Sequence, residues 1–346
     1  MEIVNSSNVS TMATPRKETD FVDLIWYLRG PIQFYIIIVV ILVNVLLLIM
    51  LRKSEMKSLV STLLSAIAIA DLIASLTMFP RAIMFYYLID PRANPPYSWC
   101  RVLSFSYILP VMIHTLSTWF TLLLGVFRYI TVCHPTKAAQ WCQYRIAYRV
   151  IAVMILVSVS IFVCDFFVFK IEPEDIWNYQ LNRSETTCQY TYKHWIQENE
   201  FIYHLVQDIM RLIFIYIIPS AGLLFITSKL ILTMKKANTT RKYLTERITQ
   251  QTTDSNRTNV LLILVLILFL IVEMPVYLLG GIIIGETYTL TIIIPLQYYS
   301  FLIPASNNTI LVTSTFNFCI YCVMGRKFRS VIKRCCRHSG QNNRTL

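Results

Sequence analysis

The sequence predicts an all-α membrane protein, a seven-transmembrane helix bundle followed by a short amphipathic eighth helix on the membrane surface. Three observations carry this reading. Of 346 residues, 55% are hydrophobic and only 14% are charged, with a mean hydropathy of +0.55, whereas soluble domains carry about 25% charged residues. Seven apolar runs reach the roughly 20 residues a helix needs to cross a bilayer. The basic residues gather in alternate connections between those runs, as they do in multi-pass proteins.

The first 30 residues are polar, carry no apolar leader, and read as an extracellular tail. The seven spans are expected at 31–51, 59–79, 102–132, 146–169, 201–234, 260–284 and 292–324, so that 31–324 forms the membrane domain. Segments 52–57, 128–149, 229–257 and 326–346 hold 21 of the 31 Lys and Arg against three acids, Glu55, Glu246 and Asp254. This places those segments in the cytoplasm and the amino terminus outside, at the plasma membrane. The net charge of +12 follows this topology, so it indicates anionic inner-leaflet lipid as a partner and gives no support to nucleic acid. Asn5, Asn8 and Asn182 begin the external N-x-Ser/Thr triplets and are the glycosylation candidates.

After the seventh span, residues 325–346 form a cytoplasmic tail. Phe328, Val331 and Ile332 share one helical face and basic residues the other, as in a helix lying on the inner leaflet. Cys335 and Cys336 follow directly and are candidates for palmitoylation, the alternative being two unmodified thiols. Of nine cysteines, Cys100 and Cys188 are the two in external segments, so a disulfide between them is expected on the oxidising side. No cysteine or histidine cluster has zinc spacing, and no nucleophile–base or His-Glu metal motif supports an enzyme.

Ionisable residues inside spans are functional candidates. Asp71 lies in the middle of the second span, and Ser117, Ser314 and Asn317 occupy depths from which they can face it. Such an oxygen set suits a sodium ion, the one candidate cofactor; the alternative is a protonated Asp71 hydrogen-bonded across helices. Glu273 lies two residues before Pro275, where the sixth span loses a backbone hydrogen bond. His114 is at a suitable depth to pair with it, the alternative being two separately satisfied groups. Asp208 and Arg211 share a helix face near the outer end of the fifth span. They either neutralise each other or line an external pocket. Arg101, Asp165, Tyr277, Gln297, Tyr298 and Asn307 are the groups that complete such a pocket, whose mixed aromatic and polar character suits a peptide.

Arg128 closes the third span in Trp119-Phe-Thr-Leu-Leu-Leu-Gly-Val-Phe-Arg-Tyr-Ile-Thr-Val-Cys-His-Pro135. With Asn44, Asp71, Phe127-Arg128-Tyr129, Pro219, Pro275 and Asn317-Phe-Cys-Ile-Tyr321, the chain resembles the rhodopsin-like (class A) G-protein-coupled receptors over nearly all of 31–336. It departs from them in Phe127 for an acid, Glu273 for a tryptophan and Phe318 for a proline. Leu109-Pro-Val-Met-Ile-His-Thr-Leu-Ser-Thr-Trp119, Ala138-Ala-Gln-Trp-Cys142 and Glu273-Met-Pro275 are similar to the sex-peptide/myoinhibitory-peptide receptor and myosuppressin (FMRFamide-like) receptor group of invertebrates. The resemblance implies an amidated neuropeptide ligand and a heterotrimeric G protein of inhibitory type as partners. It also implies that Arg128, Tyr129, Asn317 and Tyr321 serve the G-protein side, with Glu273 and Pro275 in the moving part of span six. Phe127 leaves Arg128 without its usual acidic neighbour, which predicts raised basal signalling.

Two sub-classes are excluded on chemistry. An amine receptor needs a span-three acid where this chain has Pro110, and an opsin needs a span-seven lysine, which is absent. A chemoreceptor for a small molecule and a transporter or channel are the alternatives to a peptide receptor. A channel needs polar groups continuing through the membrane, and neither a ring nor a repeat supplies them.

Overall fold

The computed structural model describes residues 23–53, 58–89, 93–179, 181–244, 251–289 and 292–324. The tail residues Asn5 and Asn8, the amphipathic eighth helix and Cys335 and Cys336 lie outside the described residues. The bundle has the expected all-α character, with one exception in the connection between spans four and five. Among the described residues six helices are long and apolar enough to cross a membrane, and a seventh helix runs Leu296–Met324.

Span one is helical over Pro31–Leu51, with Pro31 at the first position, where its missing N–H is harmless. Residues 23–29 are also helical and lead into it through Gly30. A Cβ at Gly30 would stand 2.9 Å from the backbone oxygen of Phe85. Only glycine lets the two backbones approach this closely. Span two, Leu59–Ile83, starts with Ser58 and Ser61 in a reciprocal capping box, satisfying two terminal N–H groups. It then widens into a π-turn, Met84–Leu88, just beyond Pro80.

Span three, Cys100–Cys133, packs against spans two, four, five and six. It buries Leu116, Phe120, Leu123, Leu124 and Phe127 against span two and Leu122 against spans five and six. Span four, Tyr144–Phe162, buries only Ala147, Ser158, Ile161 and Phe162. Leu156, 70% exposed, points where hydrocarbon must lie, since a large apolar side chain on a soluble surface would be costly. Span five combines Glu200–Arg211, a π-segment Leu212–Ile217 and Ile218–Leu244. Span six is one helix, Gln251–Thr289, with Pro275 inside it. The seventh closes the ring against the first.

Spans five and six therefore extend past the expected 234 and 260 into the polar connection between them. Hydropathy marks where hydrocarbon ends, but Lys, Arg, Gln and Leu propagate a helix in water as readily. The 170–200 segment departs from an all-α chain in the opposite sense. Phe169–Asn178 (β1) and Arg183–Tyr192 (β2) pair antiparallel, with Pro173 opposite Cys188. Thr186, Thr187, Tyr190, Thr191 and Tyr192 are strand-favouring residues. Asn182 turns the chain at φ 51°, a left-handed conformation that asparagine tolerates. It is exposed there.

Candidate receptor site: a hairpin rim, a polar core and the opposite mouth

The rim is built on the hairpin. Cys100, the first residue of span three, is disulfide-bonded to Cys188 of β2, with Cα atoms 5.9 Å apart, so the expected bridge is present. Tyr190 donates to the Cys100 carbonyl at 3.3 Å, and Thr187 donates to that of Pro95 at 2.9 Å. Glu185 is the anchor on the other side. It accepts from the backbone N–H and side-chain amide of Asn94 at 3.0 and 3.1 Å, from Asn178 at 2.9 Å and from Arg183 at 3.0 and 2.7 Å.

Burial raises the Glu185 carboxyl, but these donors outweigh it and bring it down from 4.5 to about 2. A depressed folded-state value contributes stability above the unfolded value, which is lost as pH falls through the folded one. The hairpin should therefore hold its attachment to Asn94 from neutral pH down to about 5 and loosen between 4.5 and about 2. Amide exchange of β2 across that range checks this, with Glu185→Gln expected to abolish the acid transition. A pH-independent exchange profile in the wild type would contradict it.

Beneath the hairpin, Arg211 donates to Asp165 at 2.5 Å, and Gln207 donates to the same carboxylate at 3.3 Å. Arg211 lies 4.0 Å from Asp208, and Tyr288 of span six donates to Asp208 at 3.0 Å. Three of the expected rim residues thus meet, but the principal ion pair is between spans four and five. The i,i+3 neighbour Asp208 is left to bond span six. Arg101 is not part of this group; it is exposed on the outer side of spans three and four. Tyr298 is 47% exposed, Asn307 is half-buried, and the side chain of Gln297 lies outside the described residues. The neighbouring Asn308 is the buried one, donating to the Leu28 carbonyl at 2.9 Å and so joining spans seven and one.

The polar core joins spans three and six. His114 Nε2 and Glu273 Oε2 are 3.2 Å apart, with Glu273 1% exposed, so the sequence-paired groups do meet. Thr118 donates to the His114 carbonyl at 3.1 Å, and its hydroxyl lies 3.4 Å from that of Tyr277. The Tyr277 and Tyr216 rings are 5.4 Å apart, and a Cβ at Gly280 would lie 2.6 Å from the Tyr216 hydroxyl oxygen. Glycine there lets span five's tyrosine reach span six. Trp119 donates to the Phe214 carbonyl at 3.1 Å, inside the π-segment of span five. The residue five positions on is Pro219, which has no N–H to offer, and the Ile218 N–H bonds Ile213, so the Phe214 carbonyl is free to accept from the Trp119 indole.

Ser117 donates to Asp71 at 2.6 Å, both buried. Ser314 instead bonds the Leu311 carbonyl of its own helix, and the side chain of Asn317 lies outside the described residues. Half of the expected oxygen set is therefore in contact.

Arg81 is the residue sequence reasoning missed. It is 5% exposed inside span two, donates to Gln33 of span one at 3.4 Å, and lies 4.5 Å above the Tyr107 ring of span three. No ion pair includes it among the described residues. The available signal was an arginine one residue after Pro80 inside an apolar run, together with a glutamine in span one.

At the opposite mouth of the bundle, Arg128 is half-buried and Tyr129 packs on the cluster of spans three, five and six. The Tyr129 hydroxyl lies 3.4 Å from His134. Phe127 is 5% exposed in the core between spans two and three. Its side chain fills space there, so Phe127→Asp would bury a carboxylate rather than simply supply a neighbour for Arg128. Tyr321 is on a helical segment, but its side chain lies outside the described residues.

The sequence has known relatives. The sex peptide receptor of Drosophila melanogaster is 28% identical over 88% of this chain and 72% of its own length. The sex peptide receptor-related protein 2 of Caenorhabditis elegans is 24% identical over 92% of this chain and 73% of its own. Residues 31–339 match the family described as serpentine type 7TM GPCR chemoreceptor Srw. This is a multi-pass membrane receptor rather than an enzyme, with a ligand and a G protein as its general partners. The chain belongs to the serpentine seven-transmembrane G-protein-coupled receptors of the Srw family.

Proposed function

We propose that the chain is a receptor for an extracellular amidated neuropeptide and transmits its binding to an inhibitory heterotrimeric G protein. The observation that carries this reading is the rim, where Asp165, Arg211, Asp208 and Tyr288 form an ionic chain across spans four, five and six. A peptide carries charges, amides and apolar side chains together, and can exchange contacts with each of these groups. The likeness to a receptor named for a peptide supports the same choice. The amino terminus faces outward, because the Cys100–Cys188 bridge needs the oxidising side.

In this reading residues 1–30 are the external tail, 31–324 the receptor domain and 325–346 the cytoplasmic eighth helix and tail. Peptide binding favours an arrangement in which the inner end of span six moves outward, with Pro275 as pivot and Arg128 and Tyr129 meeting the G protein, alongside Asn317 and Tyr321. Ligand and G protein then strengthen each other's binding by one coupling free energy. Asp71 with Ser117 is the proposed seat of an allosteric sodium ion, Asn5, Asn8 and Asn182 of glycans, and Cys335 and Cys336 of palmitate.

The test is expression in a heterologous cell with a panel of amidated neuropeptides that includes sex peptide. A fall in stimulated cyclic AMP at submicromolar peptide is expected. The family's chemoreceptor description favours a second reading, a small-molecule ligand. A receptor present at the surface that ignores every peptide and answers an odorant would establish that reading instead.

A further inference from the structure

A cleft of about 500 Å³ lies between the outer ends of spans three and four and the foot of the hairpin. Its wall is aromatic: Phe105 and Phe166 stack with centroids 5.4 Å apart, and Phe167 and Phe169 flank them. Its rim is basic. Arg101 and Lys193 are both exposed there, and neither forms an ion pair among the described residues. Lys170, also on the rim, is held by Glu172 at 2.6 Å. From Arg101 down to Leu109 the wall descends two helical turns, roughly 12 Å along the axis.

Phe167 is 58% exposed and Phe105 42%. On transmembrane helices such faces meet hydrocarbon, so the cleft opens sideways into the bilayer. Its cations lie at the water interface and its rings lie below them, the same order of polarity as the surrounding lipid. A soluble ligand would have to leave water to reach the rings, whereas a phospholipid already presents its phosphate at one depth and its chains at the other. An arginine fork and an ammonium together match a phosphate's oxygens.

We propose that this cleft is a phospholipid site, with the phosphate held between Arg101 and Lys193 and one acyl chain lying along Phe105, Phe166 and Phe167. The site stands apart from the Asp165–Arg211 rim and does not depend on which ligand activates the receptor. Two cations facing one phosphate favour a headgroup with net negative charge over a zwitterionic one. Each interfacial cation contributes on the order of a few-fold, so about tenfold preference is expected for the pair.

The experiment is native mass spectrometry of the receptor taken from vesicles of equimolar phosphatidylglycerol and phosphatidylcholine. The wild type is expected to retain one phosphatidylglycerol, enriched about tenfold over the bulk mixture. Arg101→Glu with Lys193→Glu should remove the enrichment, and Lys53→Glu, at the opposite end of the bundle, should leave it intact. Phe166→Ala should lower retention of both lipids alike, because it removes wall and not charge. Arg101→Gln with Lys193→Gln serves as the milder pair if charge reversal disturbs folding, judged by an intact Cys100–Cys188 bridge. Equal retention of both lipids by the wild type, or enrichment unchanged in a folded rim variant, would overturn the proposal.

Discussion

Cys188→Ser is expected to lower the receptor's thermal stability by the equivalent of about 2–4 kcal/mol and to free the hairpin from the mouth of the bundle. The bridge closes a loop of 88 residues. For an unconstrained chain that closure is worth roughly 4–5 kcal/mol in lost unfolded-state entropy. Here the bilayer keeps spans three and four near each other even when their packing is lost, so part of that entropy is already gone. The remainder acts on the external segment, whose other ties are the Glu185 cradle and the Thr187 and Tyr190 hydrogen bonds. Those bonds are each worth about 1 kcal/mol, more where charge assists, so a reduced hairpin should stay partly docked. Adding Glu185→Ala to Cys188→Ser should then cost more than either change alone. Unfolding of the purified receptor, with limited proteolysis at Arg183, measures both effects. Identical midpoints and cleavage rates in wild type and Cys188→Ser would show that the bridge carries no load.

The seven spans were legible because bilayer thickness imposes a length that hydropathy reports directly. The π-segments Met84–Leu88 and Leu212–Ile217 were not, since each depends on how one helix meets its neighbours. The hairpin was not legible because its strands, Phe169–Asn178 and Arg183–Tyr192, carry no sustained alternation of apolar and polar residues. At the site, the same scarcity of polar groups that makes a membrane interior hostile made His114 and Glu273 findable: a buried carboxylate has few partners to choose from. Water-exposed ends offer more choices. Arg211 therefore bonds Asp165, 46 positions away, more closely than its helical neighbour Asp208, while Arg81, buried inside span two, reaches Gln33 and Tyr107 on other spans, which no spacing rule encodes.

Breaking the His114–Glu273 contact should have the other large effect, and its size reports the state of the pair. Two magnitudes compete. A neutral hydrogen bond between membrane helices contributes about 0.6 kcal/mol on average and under about 2 at most. Removing one partner of a buried ion pair costs about 3–5 kcal/mol, because the survivor keeps an unpaired charge. Glu273 is 1% exposed, and water has little access to relieve it. We expect the ionic magnitude for His114→Ala, which strands the carboxylate, and a smaller loss for the double variant than the two single losses added together. A coupling energy above 2 kcal/mol in that cycle identifies an ion pair, and one near 0.6 a neutral bond. The contact also ties span three to span six two residues before Pro275, so it should hold the resting arrangement closed. Glu273→Ala should accordingly raise ligand-independent G-protein activation at equal surface expression, even as it lowers the melting temperature. Strictly additive stabilities with unchanged basal activity would reduce His114 and Glu273 to two neighbours that share a depth and nothing else.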